Sequence, residues 1–425
     1  MPGTHVVLSG RYRPLSRHIQ WHQVVPRSLL HMSCHSCSPL GSSQFRISVQ
    51  HGPPQGFRPR ITHIMLTERS RRRVQTQTIL VAPLMFTGLL IGLWTWKCIM
   101  MVVFQNKIIY MPGLPPTARS ERIADWSSHC GGVQWREERT KAADGTDLAM
   151  AVATVPLPKG SRQVAADTAK SVVAHVYVLY FQGNASSIPP RLPDLSWVLR
   201  AVSDSKQYAL APMELTFVCL SYRGYWTSRG RASEPGIRLD AEAGANWILQ
   251  HHERTFGKDS TTRPILLVWG QSIGSGVATN LTATGRIPER LPIQGVILET
   301  PFLSIRSMLE TLYPQKWLPY KYLWPFLRNH LDSYANLNLI AQKTREKGGD
   351  APFIYILQAE RDELVPKEQT EKLHQRCIEL GLPVEKGVAS VAFHQEAIAR
   401  GPGKKLAAEA ILKLTKRALL ETSRG

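Results

Sequence analysis

Cysteine is sparse in this 425-residue chain, and acidic residues are almost missing from its beginning. Cys34, Cys37, Cys98, Cys130, Cys219 and Cys377 are too dispersed for the disulfide framework of a short secreted domain. Cys34-His35-Ser36-Cys37, with His31 nearby, has no second Cys/His pair at zinc-finger spacing, so the sequence calls for no metal, and no organic cofactor either. Internal repeats and low-complexity runs are absent. So is any basic run interleaved with aromatics, which argues against a nucleic-acid partner despite a net charge of +20. That charge is unevenly placed: residues 1–73 hold eleven Arg, no Lys and one acid, Glu68, and so carry +10 of it. What is present, 43% hydrophobic and 20% charged residues, suits a globular enzyme with appendages.

The one long uncharged apolar stretch is residues 79–96, rich in Leu, Ile, Thr and Trp. As a helix it would span about 27 Å, close to the ~30 Å hydrocarbon core of a bilayer. Lys97 interrupts it before residues 98–104 continue, with Trp94 and Trp96 as interfacial anchors and Lys97 snorkelling. Arg69, Arg71, Arg72 and Arg73 precede the stretch closely while only Lys107 follows soon after, so the positive-inside rule leaves the N-terminus cytosolic. The expected organisation is a basic, disordered tail (1–73), a transmembrane anchor (74–104), a linker (105–130) and a catalytic domain (131–425). A single-pass protein of the endoplasmic reticulum or another endomembrane follows. Two alternatives stay open for residues 1–64: a mitochondrial transit segment, or a chain starting at Met65.

From about residue 130 the pattern changes. Residues 133–138 alternate, Ala143-Asp144-Gly145-Thr146 supplies a turn, and residues 148–155 resume, which reads as an antiparallel hairpin. Short apolar runs follow at 174–180, 215–220, 265–269, 293–298 and 353–357, separated by stretches of helical character at 240–250 and 273–284. Runs of this kind suit strands buried on both faces, so the fold class is α/β, a mostly parallel, doubly wound sheet. Ligands of such sheets sit beyond the carboxyl ends of the strands.

Directly after the third parallel run stands Gly270-Gln271-Ser272-Ile273-Gly274, followed by a helix. A strand–turn–helix context makes this a nucleophile elbow, with the Ser272 hydroxyl exposed above the sheet. A serine hydroxyl needs a base, and the base needs an orienting group; on this fold the order is Ser, acid, His. Among Glu360, Asp362 and Glu363, Asp362 sits in the loop where the chain turns before the helix near Pro366, although helix capping would explain an Asp there too. Among His251, His252, His330, His374 and His394, only His394 follows the acid and one more apolar run, at 388–393. Ile273 and Asn184, the latter in Phe181-Gln182-Gly183-Asn184-Ala185, are the expected backbone donors of an oxyanion hole. The sequons at Asn184 and Asn280 fall at positions expected to be buried and read as chance.

Gly183-Asn184-Ala185, Tyr222-Arg223-Gly224-Tyr225, Asp240-Ala241-Glu242-Ala243, the elbow, Thr300-Pro301-Phe302 and Asp362-Glu363-Leu364-Val365-Pro366 occur in this order. Together they resemble the lid-poor α/β-hydrolases that an N-terminal span anchors to eukaryotic membranes, a group that includes protein depalmitoylases, and residues 104–116 look especially like fungal members. The resemblance covers roughly residues 105–415. Gln182 stands where that family usually has His, Ser221 where it has Asp, Ala359 where it has Gly, and Ala392-Phe393 where a Gly precedes the His. The resemblance implies a serine hydrolase acting on carboxylic esters or thioesters, with lipid or acylated protein as candidate substrates and an acyl-enzyme intermediate. An inactive hydrolase-fold scaffold and an acyl-peptidase are the alternatives. The aromatic-rich residues 313–326 fall where a small cap would arch over the site, and suit either an acyl pocket facing the bilayer or ordinary packing.

Overall fold

Each apolar run becomes a strand whose alternate side chains enter different halves of the core. On the strand Ala174–Phe181, Val176, Val178 and Tyr180 pack on one face, while Tyr177, Leu179 and Phe181 pack on the other. A strand with both faces buried has no reason to alternate in polarity, so its sequence is continuously apolar. The computed structural model describes residues 68–155, 174–205, 213–258 and 264–422. Residues 1–67 of the basic tail, with the Cys34/Cys37 pair, the candidate leader and Met65, lie outside the described residues.

In chain order the elements are α1 (Glu68–Val103), α2 (Gln105–Tyr110), β1 (Arg136–Lys141), β2 (Asp147–Val155), β3 (Ala174–Phe181), α3 (Leu192–Ser203), β4 (Met213–Leu220) and α4 (Glu234–Phe256). Then come β5 (Ile265–Gln271), α5 (Ile273–Thr284), β6 (Ile293–Glu299), α6 (Ile305–Leu312), α7 (Ser333–Lys347), β7 (Phe353–Ala359), α8 (Lys367–Leu380), β8 (Val384–Ala389) and α9 (Gly401–Thr422). The strands form one sheet in the order β1-β2-β4-β3-β5-β6-β7-β8. β1, β2 and β4 are linked antiparallel, and β4 to β8 run parallel. Helices α4, α5, α7 and α8 cover one face through residues such as Trp247, Leu281, Leu337 and Leu373. Helices α3 and α9 cover the other through Leu195, Leu199, Ile411 and Leu414. This is the α/β-hydrolase fold.

The structure departs from the sequence reading in four places. β1 begins at Arg136 rather than Val133, because the Trp135 indole donates to Ser196 Oγ of α3 at 2.8 Å and draws the chain out of the sheet. The last strand stops at Ala389 instead of running to Phe393, since Val391 turns the chain at φ 57°. α1 begins at Glu68, six residues before the expected anchor, so residues 68–73 of the expected tail are helical; within it Leu80–Val103 is long and apolar enough to cross a membrane. Residues 105–130, expected as a linker, lie against the sheet domain: Tyr110 and Ala118 are fully buried, and Trp226 Nε1 donates to the Glu121 carbonyl at 2.8 Å.

Away from the strand ends, His175 on β3 is buried against Phe256, 3.7 Å between ring centroids, and His252. Burial, aided by the neighbouring His252, pushes its imidazole down to about 4 from 6.5. The Glu214 carboxylate lies 3.9 Å from Nδ1. Between those two pH values the unfolded chain takes up a proton that the folded chain does not, so stability is held above 6.5 and lost as pH falls toward about 4. Thermal unfolding followed from pH 7 to 4 is expected to show this decline, and His175→Gln is expected to flatten it; an identical slope in the variant would assign the acid loss to other groups.

Candidate active site

β5 ends at Gln271 and α5 begins at Ile273, so Ser272 alone makes the reversal from strand to helix. Its φ of 52° and ψ of −115° lie where side-chain-bearing residues are disfavoured. The surroundings enforce this conformation. Ser272 N–H donates to the Glu299 carbonyl at the end of β6 (2.8 Å), and its own carbonyl accepts from Ser275 N–H (2.9 Å). Neighbouring chains approach so closely that a Cβ on Gly270 would sit 2.1 Å from the Gly274 carbonyl oxygen, and one on Gly274 2.2 Å from that of Phe181. Only glycine fits at either position.

The β8–α9 connection brings His394 to this serine. Its Nε2 is 2.9 Å from Ser272 Oγ, and its Nδ1 is 2.9 and 2.8 Å from the two Asp362 carboxylate oxygens. Asp362 Oδ1 also accepts the N–H groups of Leu364 and Val365 at 3.0 and 2.8 Å, so the loop-capping role and the imidazole contact are filled by one side chain. The two acids passed over in its favour hold the histidine loop instead. Glu363 accepts the His394 N–H at 2.9 Å, and Glu360 accepts the Val391 N–H at 2.6 Å. Val391 is the residue with positive φ here, occupying a conformation that favours glycine. Of the other histidines, His251 and His252 lie in α4, His374 lies in α8, and His330 precedes α7 with its N–H held by Glu234.

Ile273 opens α5, so its N–H has no acceptor within the helix and stands at the positive end of the helix dipole. Across from it, Gly183 packs against the elbow, close enough that a Cβ there would be 3.6 Å from Ser272 Cβ. The adjacent Asn184 N–H finds no acceptor among the described residues. Ala185 and Ser186, both at positive φ, are fixed from outside the loop: Ala185 N–H donates to the Tyr110 carbonyl (2.9 Å) and Ser186 N–H to that of Leu114 (2.5 Å). Tyr110 ends α2, and its carbonyl also accepts the Tyr225 hydroxyl. The Asn184 side chain is half-buried, and so is Asn280, whose amide donates to Glu234 at 2.9 Å.

Beneath the elbow lies a polar network that the sequence reading missed. Arg191, just before α3, pairs with the fully buried Glu299, donates to Tyr180 Oη (3.1 Å) and donates to the Gln395 carbonyl (3.2 Å). Trp269 Nε1 donates to the second Glu299 oxygen at 3.0 Å. Gln271 Oε1 accepts from Tyr180 Oη (3.2 Å) and, at 3.4 Å, from Gly183 N–H. Burial pushes the Glu299 carboxyl up, and the Arg191 guanidinium and Trp269 indole pull the other way. The sequence signal was a carboxylate at the end of an apolar strand, Val-Ile-Leu-Glu, where no water is available to it. Arg191 gave no comparable signal.

No family model matches the chain. Over 200 residues it is 28% identical to protein bem46 of Schizosaccharomyces pombe, covering 47% of this chain and 56% of that protein. Over 202 residues it is 32% identical to lysophosphatidylserine lipase ABHD12 of Danio rerio, covering 47% of each. The chain thus spans about half the length of the curated relatives it matches. Among solved structures, a fungal esterase from Rhizomucor miehei superposes with a TM-score of 0.47 at 14% identity, covering 71% of this chain and 90% of that one.

Proposed function

We propose that the chain, which has the α/β-hydrolase fold, is a membrane-anchored serine hydrolase that cleaves carboxylic esters of acylated lipids through an acyl-enzyme. The observation that carries this reading is the run of contacts from Ser272 Oγ through the His394 imidazole to Asp362, with the serine held at φ 52°. In the reaction, Ser272 Oγ attacks the acyl carbonyl while His394 Nε2 takes its proton, and Asp362 stabilises the imidazolium. The oxyanion is bound by the N–H groups of Ile273 and Asn184, a contribution of about 3–4 kcal/mol per donor in comparable sites. His394 then protonates the departing alcohol, and a water activated by the same imidazole releases the carboxylic acid and restores Ser272.

The lipase relative acts on a lysophosphatidylserine, a single-chain lipid resident in membranes, and that ester is the first substrate to test. The apolar helix Leu80–Val103 supports presentation of such a substrate from a bilayer. Full-length protein reconstituted in vesicles and offered lysophosphatidylserine, an S-acylated peptide and an N-acylated peptide is expected to release fatty acid fastest from the ester. Faster release from the thioester would make it a deacylase of modified proteins, and faster cleavage of the amide an acyl-peptidase. No release from any of the three would favour a scaffold.

A further inference from the structure

The last residue of α6 and the connection to α7 carry large apolar side chains that the fold leaves uncovered. Trp317 is 67% exposed, Phe326 59%, Leu312 57%, Tyr322 56% and Trp324 42%. Burying these rings in the core next to them would have been favourable, so a cluster this apolar on a surface marks a contact with something else. Its position identifies the partner. Trp317 packs on Trp94 of α1 at 5.8 Å between ring centroids, and Lys97 Nζ lies 4.4 Å over the Tyr320 ring. Arg328, at the far end of the connection, donates to the Val102 and Val103 carbonyls at 3.0 and 3.1 Å. The segment therefore stands beside the stretch of α1 from Trp94 to Val103, about 14 Å of helix. Trp94, Trp96 and Lys97 are the residues of α1 suited to a membrane–water interface, where aromatic and snorkelling cationic side chains collect. Lys316, Lys321 and Arg306 add cationic groups among the rings, with Arg306 over Trp324 (4.1 Å) and Lys321 over Tyr322 (5.0 Å). Apolar rings edged by cations complement an acyl layer edged by phosphates.

We propose that residues 312–326 form an interfacial wedge that lies in the headgroup layer of the bilayer crossed by α1, with Trp317, Tyr322, Trp324 and Phe326 reaching the upper acyl chains. The wedge rests on the reading of α1 as a membrane span. The Arg328 and Gln105 contacts hold the wedge in place: Gln105 Nε2 donates to the Phe326 carbonyl at 3.1 Å while Gln105 Oε1 accepts the Arg328 N–H at 2.7 Å.

The test uses full-length protein in phosphatidylcholine/phosphatidylserine vesicles and compares it with Trp317→Phe/Trp324→Phe, which keeps the aromatic surface. The emission lost on substitution isolates these two tryptophans. Lipids brominated high on the acyl chain are expected to quench at least half of that difference, and aqueous acrylamide to quench little of it. Quenching by acrylamide alone would put the segment in water and overturn the wedge. Shielding from both quenchers would assign the surface to a protein partner or a second copy, and overturn it equally. Alkaline carbonate extraction separates the two readings: protein released by carbonate removes the span and the wedge together, whereas retained protein without lipid quenching removes the wedge alone.

Discussion

Ser272→Ala is expected to lower ester turnover by about 10⁴–10⁶-fold while leaving the protein folded. The loss is that large because nothing adjacent can replace the nucleophile. Ser275 Oγ is committed to the Gly270 carbonyl at 2.8 Å and is completely buried. The residual rate would come from the oxyanion donors and from binding, which alanine leaves in place. Folding should survive, since the elbow is held by the Ser272 backbone and by the glycines around it, not by the hydroxyl. A fluorophosphonate probe, which requires an activated serine, checks the same point independently of substrate. Wild-type protein is expected to label and Ser272→Ala not to; labelling that persists in the variant would move the chemistry to another serine.

The second large effect concerns stability. Arg191→Met is expected to destabilise the domain by about 3–5 kcal/mol, because it leaves the Glu299 carboxylate buried without its cation. The double variant Arg191→Met/Glu299→Gln is expected to recover most of that loss, as it removes the orphaned charge yet keeps an acceptor for the Trp269 indole. Urea unfolding of the solubilised protein, monitored by tryptophan fluorescence, measures both. A double variant no more stable than Arg191→Met would show that packing around the guanidinium stem, and not charge, sets the cost. Because Arg191 also donates to the Gln395 carbonyl beside His394, the single variant is expected to lose activity before it unfolds.

Much of this architecture was legible in the sequence for a simple reason. Strands buried on both faces must be apolar at every position, so β3, β5, β6 and β7 announce themselves within two residues of their ends. The elbow was legible because close backbone contacts admit only glycine at 270 and 274. Chain order pointed to Asp362 and His394, and the loops after β7 and β8 bring these two side chains into hydrogen-bond contact with each other and His394 with Ser272. What stayed hidden depends on contacts between residues far apart in the chain. Nothing near Arg191 points to Glu299, 108 positions on, and nothing near Glu363 says that its carboxylate holds a backbone N–H 31 positions away. The packing of residues 105–130 was missed for the same reason, since its partners are carbonyls and rings in the 224–228 turn.

That packing fixes how far the enzyme can reach. Helix α1 passes into α2 with a single residue, Phe104, between them, and α2 ends on the carbonyl that accepts the Ala185 N–H, next to Asn184. A hydrolase on a long tether could sweep a volume and meet substrates in solution or on an apposed organelle. With α1 in a bilayer, as proposed, a mount without slack would hold the candidate site at one membrane, where encounter with lipid substrates would scale with their surface density.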